Sequence, residues 1–358
     1  MRKHYLDNIR WMVQILVVLY HVCYMYNGLG FPATVGQITE KPFLPADLFQ
    51  YAVYPWFMTV LFIVAGISAR LYLDRHTGKE FLRSRTDRLM VPSTIGLLVF
   101  GFLQGYINMA LSVDAFDSLA NVPLPVRYLI MAVSGTGVLW FLQVLWVLSV
   151  ILILVRKYEQ DRLWKLGAKA DTAFLIALAV PVWLMGLVLN TPVIAVYRFG
   201  LYGTVFFLGY FVFSHDEVIE RMKKNVLIYV LAAVCAGIAF TAVHFGKNYA
   251  DAPVNRSVFY GIFAWLGSLA VIALAAKYCD FENSFTRWMS AHSFSLYVFH
   301  YLGISAVGLY IAKPGLLGPA LIYPLSLLAG LAAGYVLGEI ISGLPFMRWA
   351  VLGIRKKG

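Results

Sequence analysis

The stretch YLIMAVSGTGVLWFLQVLWVLSVILILV, residues 128–155, runs for 28 positions between Arg127 and Arg156 without an Asp, Glu, Lys or Arg. A helix needs about 20 mostly apolar residues to span the hydrocarbon layer of a bilayer, whereas a membrane strand needs about 9–11 of alternating polarity. This run is too long for a strand and does not alternate, so it reads as a membrane helix. The same ruler finds nine further charge-free intervals: Arg10–Glu40, Asp47–Arg70, Arg88–Asp114, Asp171–Arg198, Arg198–Asp216, Lys224–Lys247, Arg256–Lys277, Arg287–Lys313 and Lys313–Glu339. Only the one after Arg198, with 17 residues, falls short of 20. There the arginine is expected at the membrane edge or snorkelling out of it. The expected fold is an all-α polytopic membrane helix bundle of about ten transmembrane helices, one membrane domain over residues 1–358.

Composition excludes the alternatives. Hydrophobic residues make up 61% and charged residues 13% of the 358 positions. Soluble domains are roughly 45–50% apolar and about 25% charged. A mean hydropathy of +0.74 agrees. A soluble enzyme, a disordered chain and a fibrous protein are therefore excluded, and the net charge of +11 reads as a topological signal, not a nucleic-acid footprint. With the N-terminus placed in the cytoplasm, alternation over ten spans puts 23 of the 29 Lys and Arg residues inside and 6 outside. That bias predicts both termini in the cytoplasm. The outer segments near 30–50 and 112–135 read as short loops. Cys23, Cys235 and Cys279 have no metal or disulfide spacing and are expected as buried small hydrophobes. Arg2 and Lys3 precede an apolar stretch, but no small-residue cleavage site follows, so the stretch reads as a retained first helix.

Ionisable groups within the apolar layer are costly and point to function. His21 stands eleven residues after Arg10. That is about 16 Å along a helix, roughly half the layer, and nearly the same face. Asp7 shares that face, so one stripe carries an acid, a guanidinium and an imidazole at midplane depth. A neutral imidazole is a good general base; the competing reading is a plain interhelical hydrogen bond. His300 closes the run Ser295-Leu296-Tyr297-Val298-Phe299-His300 at a similar depth. A second constellation is Arg83-Ser84-Arg85-Thr86-Asp87-Arg88 at the cytoplasmic start of the third span. Arg85 and Arg88, three apart on a helix, can grip one polyanion with bidentate forks. The simpler reading is a positive-inside anchor.

These pieces resemble the acyltransferase-3 family of integral membrane acyltransferases. The resemblance rests on Tyr5-Leu6-Asp7-Asn8-Ile9-Arg10 with His21 eleven residues on, Arg85-Thr86-Asp87-Arg88 with Leu89 and Pro92, Trp140-Phe141-Leu142, and Ser295-Leu296-Tyr297 with His300. Residues from Pro55 to Gly101 also resemble the glucan-succinylating branch. The resemblance implies transfer of an acyl group from cytoplasmic acyl-CoA to a hydroxyl of a cell-envelope glycan, lipid-linked sugar or other acceptor. It implies catalytic roles for His21 and Arg10 and donor binding or orientation by Arg85 and Arg88; Asp7, on the same stripe, is expected to join the catalytic group by orienting the site or tuning the imidazole. His300, Tyr297 and Trp140 are further candidates.

The expected activity is thus an O-acyltransferase of a bacterial inner or plasma membrane. Acetyl-CoA is the default co-substrate and succinyl-CoA the alternative. Direct general-base transfer and a covalent acyl-His21 intermediate both fit. No cluster of His, Cys and carboxylates has metal-ligand spacing, so no metal is expected. The expected partners are acyl-CoA, the acceptor and the lipid bilayer, with no nucleic acid; a homo-oligomer is compatible with the sequence. Some relatives carry an appended esterase-like domain outside the membrane. None is expected here, so a second transfer step would call for a partner. The alternative class is a secondary transporter with His21 in a proton relay.

Overall fold

A computed structural model describes residues 2–112, 119, 121–191 and 196–355. Among the described residues every extended element is a helix, and the one β-bridge is the isolated pair Asn190–Arg198. Among the described residues seven helices are long and apolar enough to cross a membrane: Leu44–Leu73, Gly78–Leu111, Gly137–Glu159, Val226–His244, Val258–Tyr278, Ser284–Ala312 and Pro319–Gly343. Each overlaps most of one charge-free interval and runs past its charged ends in several cases. The remaining intervals hold His4–Met25 and the shorter apolar helices Thr172–Met185 and Phe199–Phe211. Apolar side chains also face outward. Leu227, Leu231, Val234 and Ile238 form an exposed stripe on Val226–His244, as expected of a surface solvated by lipid tails.

Several sequence expectations need correction. The stretch 128–155 is not one helix. Leu124–Ser134 ends at Gly135, and Trp140–Glu159 starts afresh. A Cβ on Gly135 would stand 2.7 Å from the Gly101 carbonyl carbon, and Gly137 has a φ of +39°. Two backbones approach too closely there for any other residue, and the chain must turn. The supposed loop 112–135 accordingly contains a helix. Pro123 and Pro125 sit at its start, which suits proline because its missing N–H would be unpaired there anyway. Residues 113–118 and 120 of that loop lie outside the described residues. Finally, none of the cysteines is fully buried. Cys235 is exposed on the lipid-facing helix, and Cys23 and Cys279 are half-buried. A small apolar side chain is as much at home against lipid as in a core.

The chain folds as two compact units that interleave along the sequence. The first comprises 1–13, 51–83 and 144–290, the second 14–50, 84–143 and 291–358. In the first, Leu44–Leu73 meets Phe199–Phe211 through glycines. A Cβ on Gly66 would lie 2.9 Å from Tyr210 N, and one on Gly209 would lie 3.1 Å from Ile63 Cα. Small residues let membrane helices close up where no hydrophobic drive separates protein from lipid. Arg70 ends this helix and is buried. It pairs with Asp74 at 2.9 Å and Asp161 at 2.5 Å and lies 4.1 Å over the Trp164 ring. Arg198 does not snorkel: it is 5% exposed, donates from Nη2 to Asn255 O at 2.7 Å and lies over the Tyr260 ring. The short helix after it starts inside the unit.

In the second unit, Val18, Val22 and Met25 pack with Leu296, Tyr301, Ile304 and Ile322. A hydrogen bond of 2.7 Å between Tyr26 Oη and Ser326 Oγ ties the end of the first helix to Pro319–Gly343. That helix closes on Ser284–Val307 through small residues; a Cβ on Gly334 would lie 2.8 Å from Leu296 Cα. This packing sets the position of His300, one turn beyond Leu296.

Candidate active site

His21 and His300 meet in the second unit. His300 Nε2 lies 3.1 Å from His21 Nδ1. Each Nδ1 also reaches the carbonyl one turn earlier on its own helix: His21 to Val17 O and His300 to Leu296 O, both at 2.9 Å. His300 is fully buried, whereas His21 is partly open. The Tyr301 ring packs on His21 with centroids 5.0 Å apart, and Tyr20 and Tyr24 flank it. Nε2 of His21 makes no hydrogen bond among the described residues. A partly accessible imidazole nitrogen held on a rigid helix can take a proton or attack a carbonyl.

Tyr301 also lines a narrow, largely apolar cleft with Pro92, Phe100, Gln104, Val138 and Val298. Gln104 Nε2 donates to Asn108 Oδ1 at 2.8 Å and to Ser305 Oγ at 3.1 Å; Asn108 Nδ2 donates to Ser134 O at 2.8 Å. The network holds the cleft wall where a lone buried amide would be costly. Tyr297 Oη donates to Val138 O, beside the same cleft. Trp140 is half-buried at the start of its helix.

Asp7 and Arg10 meet in the first unit. Arg10 Nη1 donates to Asp7 Oδ1 at 2.6 Å, and Nη2 donates to Ser68 Oγ. Asp7 Oδ2 also accepts from Arg2 Nη2 at 2.9 Å. Asp7 therefore binds two guanidinium groups and fixes that of Arg10. His4–Met25 is a single helix carrying Asp7, Arg10 and His21.

The arginine motif departs from simple α-helical spacing. Gly78–Arg85 is α-helical, but Thr86–Met90 winds wider, with Val91 N–H reaching back five residues to Thr86 O. Pro92, lacking an N–H, starts a second wide stretch through Gly101. Such π turns are rare and are frequent at functional sites. Arg88 is exposed and Arg85 half-buried. Arg88 makes no hydrogen bond or ion pair among the described residues. Asp87 is engaged: Arg355 Nη2 donates to its Oδ1 at 2.7 Å. That hydrogen bond raises the Arg355 pKa above its ordinary value. The helix Pro345–Leu352 ends at Gly353, with a φ of +65°. A Cβ there would lie 2.8 Å from Arg88 Cα and still closer to Asp87 O. Sequence reasoning missed Gly353, Arg355, Tyr301 and the Gln104 network. The one available hint was a glycine just past an apolar helical run.

Fold and site together define a multi-pass helical membrane protein with an imidazole pair, one ring buried and the other partly open. The chain belongs to the acyltransferase-3 family: the family's acyltransferase domain matches residues 3–339. It is similar to "Glucans biosynthesis protein C" of Escherichia coli O139:H28 (strain E24377A / ETEC), 19% identical over 376 residues, 98% of this chain and 94% of the relative. The protein of that name from Escherichia coli O81 (strain ED1a) is 19% identical over 371 residues, with the same coverage. No solved structure gives a significant match.

Proposed function

We propose that this protein is an O-acyltransferase that takes an acyl group from cytoplasmic acyl-CoA and passes it to a hydroxyl of a cell-envelope glycan. The observation that carries the reading is the His21–His300 contact at 3.1 Å in a chain of an acyltransferase family. A glucan acceptor is favoured by the name of those relatives. Acetyl is the default acyl group and succinyl the alternative.

In this reading His21 removes the acceptor hydroxyl proton as the oxygen attacks the thioester carbonyl. The new C–O bond forms, the C–S bond breaks, and the proton on His21 passes to the leaving CoA thiolate. Arg85 and Arg88 hold CoA phosphates. The apolar cleft beside Tyr301 suits the acyl portion and its thioester. Arg10 and Asp7 are assigned by their place on the His21 helix and by the resemblance. Ten spans with both ends in the cytoplasm and a bacterial inner-membrane location complete the proposal. The transport reading finds no support in the family match.

The test is direct. Purified protein in lipid nanodiscs, given acetyl-CoA or succinyl-CoA and a linear glucan, should release CoA thiol and acylate the glucan, as detected by mass spectrometry. Uptake of a solute by proteoliposomes without thioester cleavage would overturn it.

A further inference from the structure

We propose that His300 is a positioning residue that fixes the tautomer of His21, leaving Nε2 of His21 as the reacting nitrogen. The inference rests on the acyl-transfer reading for its consequence in catalysis, but the tautomer itself follows from geometry. A carbonyl oxygen can only accept a hydrogen bond. His300 Nδ1, 2.9 Å from Leu296 O, therefore carries a hydrogen. By the same rule His21 Nδ1, 2.9 Å from Val17 O, carries one too. The two rings meet at 3.1 Å through His300 Nε2 and His21 Nδ1. Two N–H groups cannot point at each other there, so His300 Nε2 is bare and accepts. The His21 Nδ1 hydrogen is shared between Val17 O and His300 Nε2. A neutral His21 with its hydrogen on Nδ1 has its lone pair on Nε2, the nitrogen without a partner among the described residues.

The arrangement performs the task of a base and its orienter in a catalytic triad, with a neutral imidazole in the place of the usual carboxylate. When Nε2 takes the hydroxyl proton, His21 becomes an imidazolium. Its Nδ1–H then donates more strongly to both His300 Nε2 and Val17 O. The proton leaves from Nε2 to the thiolate sulfur, and the resting tautomer returns. Full burial of His300 and its Nδ1 hydrogen bond to Leu296 O keep its ring from rotating out of register.

The experiment reads the tautomer separately from the activity. Protein labelled with ¹⁵N-histidine in lipid is studied by solid-state NMR. The His21 and His300 signals are assigned by their disappearance in His21→Gln and His300→Gln. The expected spectrum has Nδ1 protonated and Nε2 unprotonated in both rings. A His21 ring protonated on Nε2 in the wild type would overturn the inference, whatever the activity. His300→Gln places a carbonyl oxygen at the reach of the lost nitrogen, so it should keep the His21 tautomer and the greater part of the rate. His300→Met fills similar space without that acceptor. It should mix the tautomers and lower the rate about 10- to 100-fold, less than the roughly 10⁴-fold seen when a triad loses its charged orienter. Equal losses in Gln and Met would overturn the positioning role. Should the expected tautomer be found while His21→Gln remains active, the acyl-transfer reading of His21 fails and the tautomer assignment stands.

Discussion

Gly353 offers the sharpest test of how the arginine motif is held, through the substitution Gly353→Ala. Its φ of +65° lies in the left-handed region, which costs a residue with a Cβ roughly 1–2 kcal/mol. The added carbon would sit 2.8 Å from Arg88 Cα, where ordinary contact begins at 3.4 Å. The Asp87–Arg88 backbone must therefore retreat by about 0.6 Å against that atom alone, and further to clear the Asp87 carbonyl. A misplacement approaching 1 Å at a binding group costs up to about 10²-fold. The expected result is a fall of roughly 10- to 100-fold in kcat/KM for acyl-CoA, carried mainly by KM. The assay is CoA-thiol release by purified protein across a range of acyl-CoA concentrations. Gly343→Ala is the control, since its added Cβ would meet nothing within 4 Å. Wild-type kcat and KM in Gly353→Ala would refute the idea that the C-terminal segment sets the donor motif.

Further expectations follow from the same site. Arg85→Lys and Arg88→Lys keep the positive charge but lose the bidentate fork. Each should insert normally and raise KM for acyl-CoA about 10- to 150-fold, the worth of a charge-assisted hydrogen bond. The defect should shrink with an N-acetylcysteamine thioester, which has no CoA phosphates; an equal loss with that donor would place the arginines outside phosphate recognition. Reporter fusions near 40, 120, 250 and 315 should read outside and those near 78, 162, 222, 284 and 356 inside. One inverted pair, with the break at Phe199–Phe211 the first suspect, would remove a span.

The helical character of the chain was legible because charge spacing measures hydrophobic length directly, and among the described residues seven long apolar helices each overlap one interval so marked. Boundaries set by tertiary contact were not. Gly135 breaks the 128–155 run because another backbone passes against it, and nothing local announces that neighbour. His21 and His300 were both legible as costly polar groups in apolar runs, and counting along each helix suggested similar depth. Their contact spans 279 positions of sequence, so which nitrogens face each other emerges only from how the two helices rotate and pack. Asp87 shows the same limit. In sequence it is an acid between two arginines, while its partner, Arg355, comes from the far end of the chain.

The central claim is that His21 is the base for acyl transfer, and the most direct measurement is single-turnover acyl transfer by His21→Gln with saturating acyl-CoA and glucan. Glutamine keeps a polar side chain at the position but cannot take the proton. The account predicts correct membrane insertion, retained acyl-CoA binding and a rate lowered at least 10²- to 10⁴-fold, the usual worth of a general base. A His21→Gln protein that acylates glucan at close to the wild-type rate would contradict it and leave the imidazole pair as a hydrogen bond between helices.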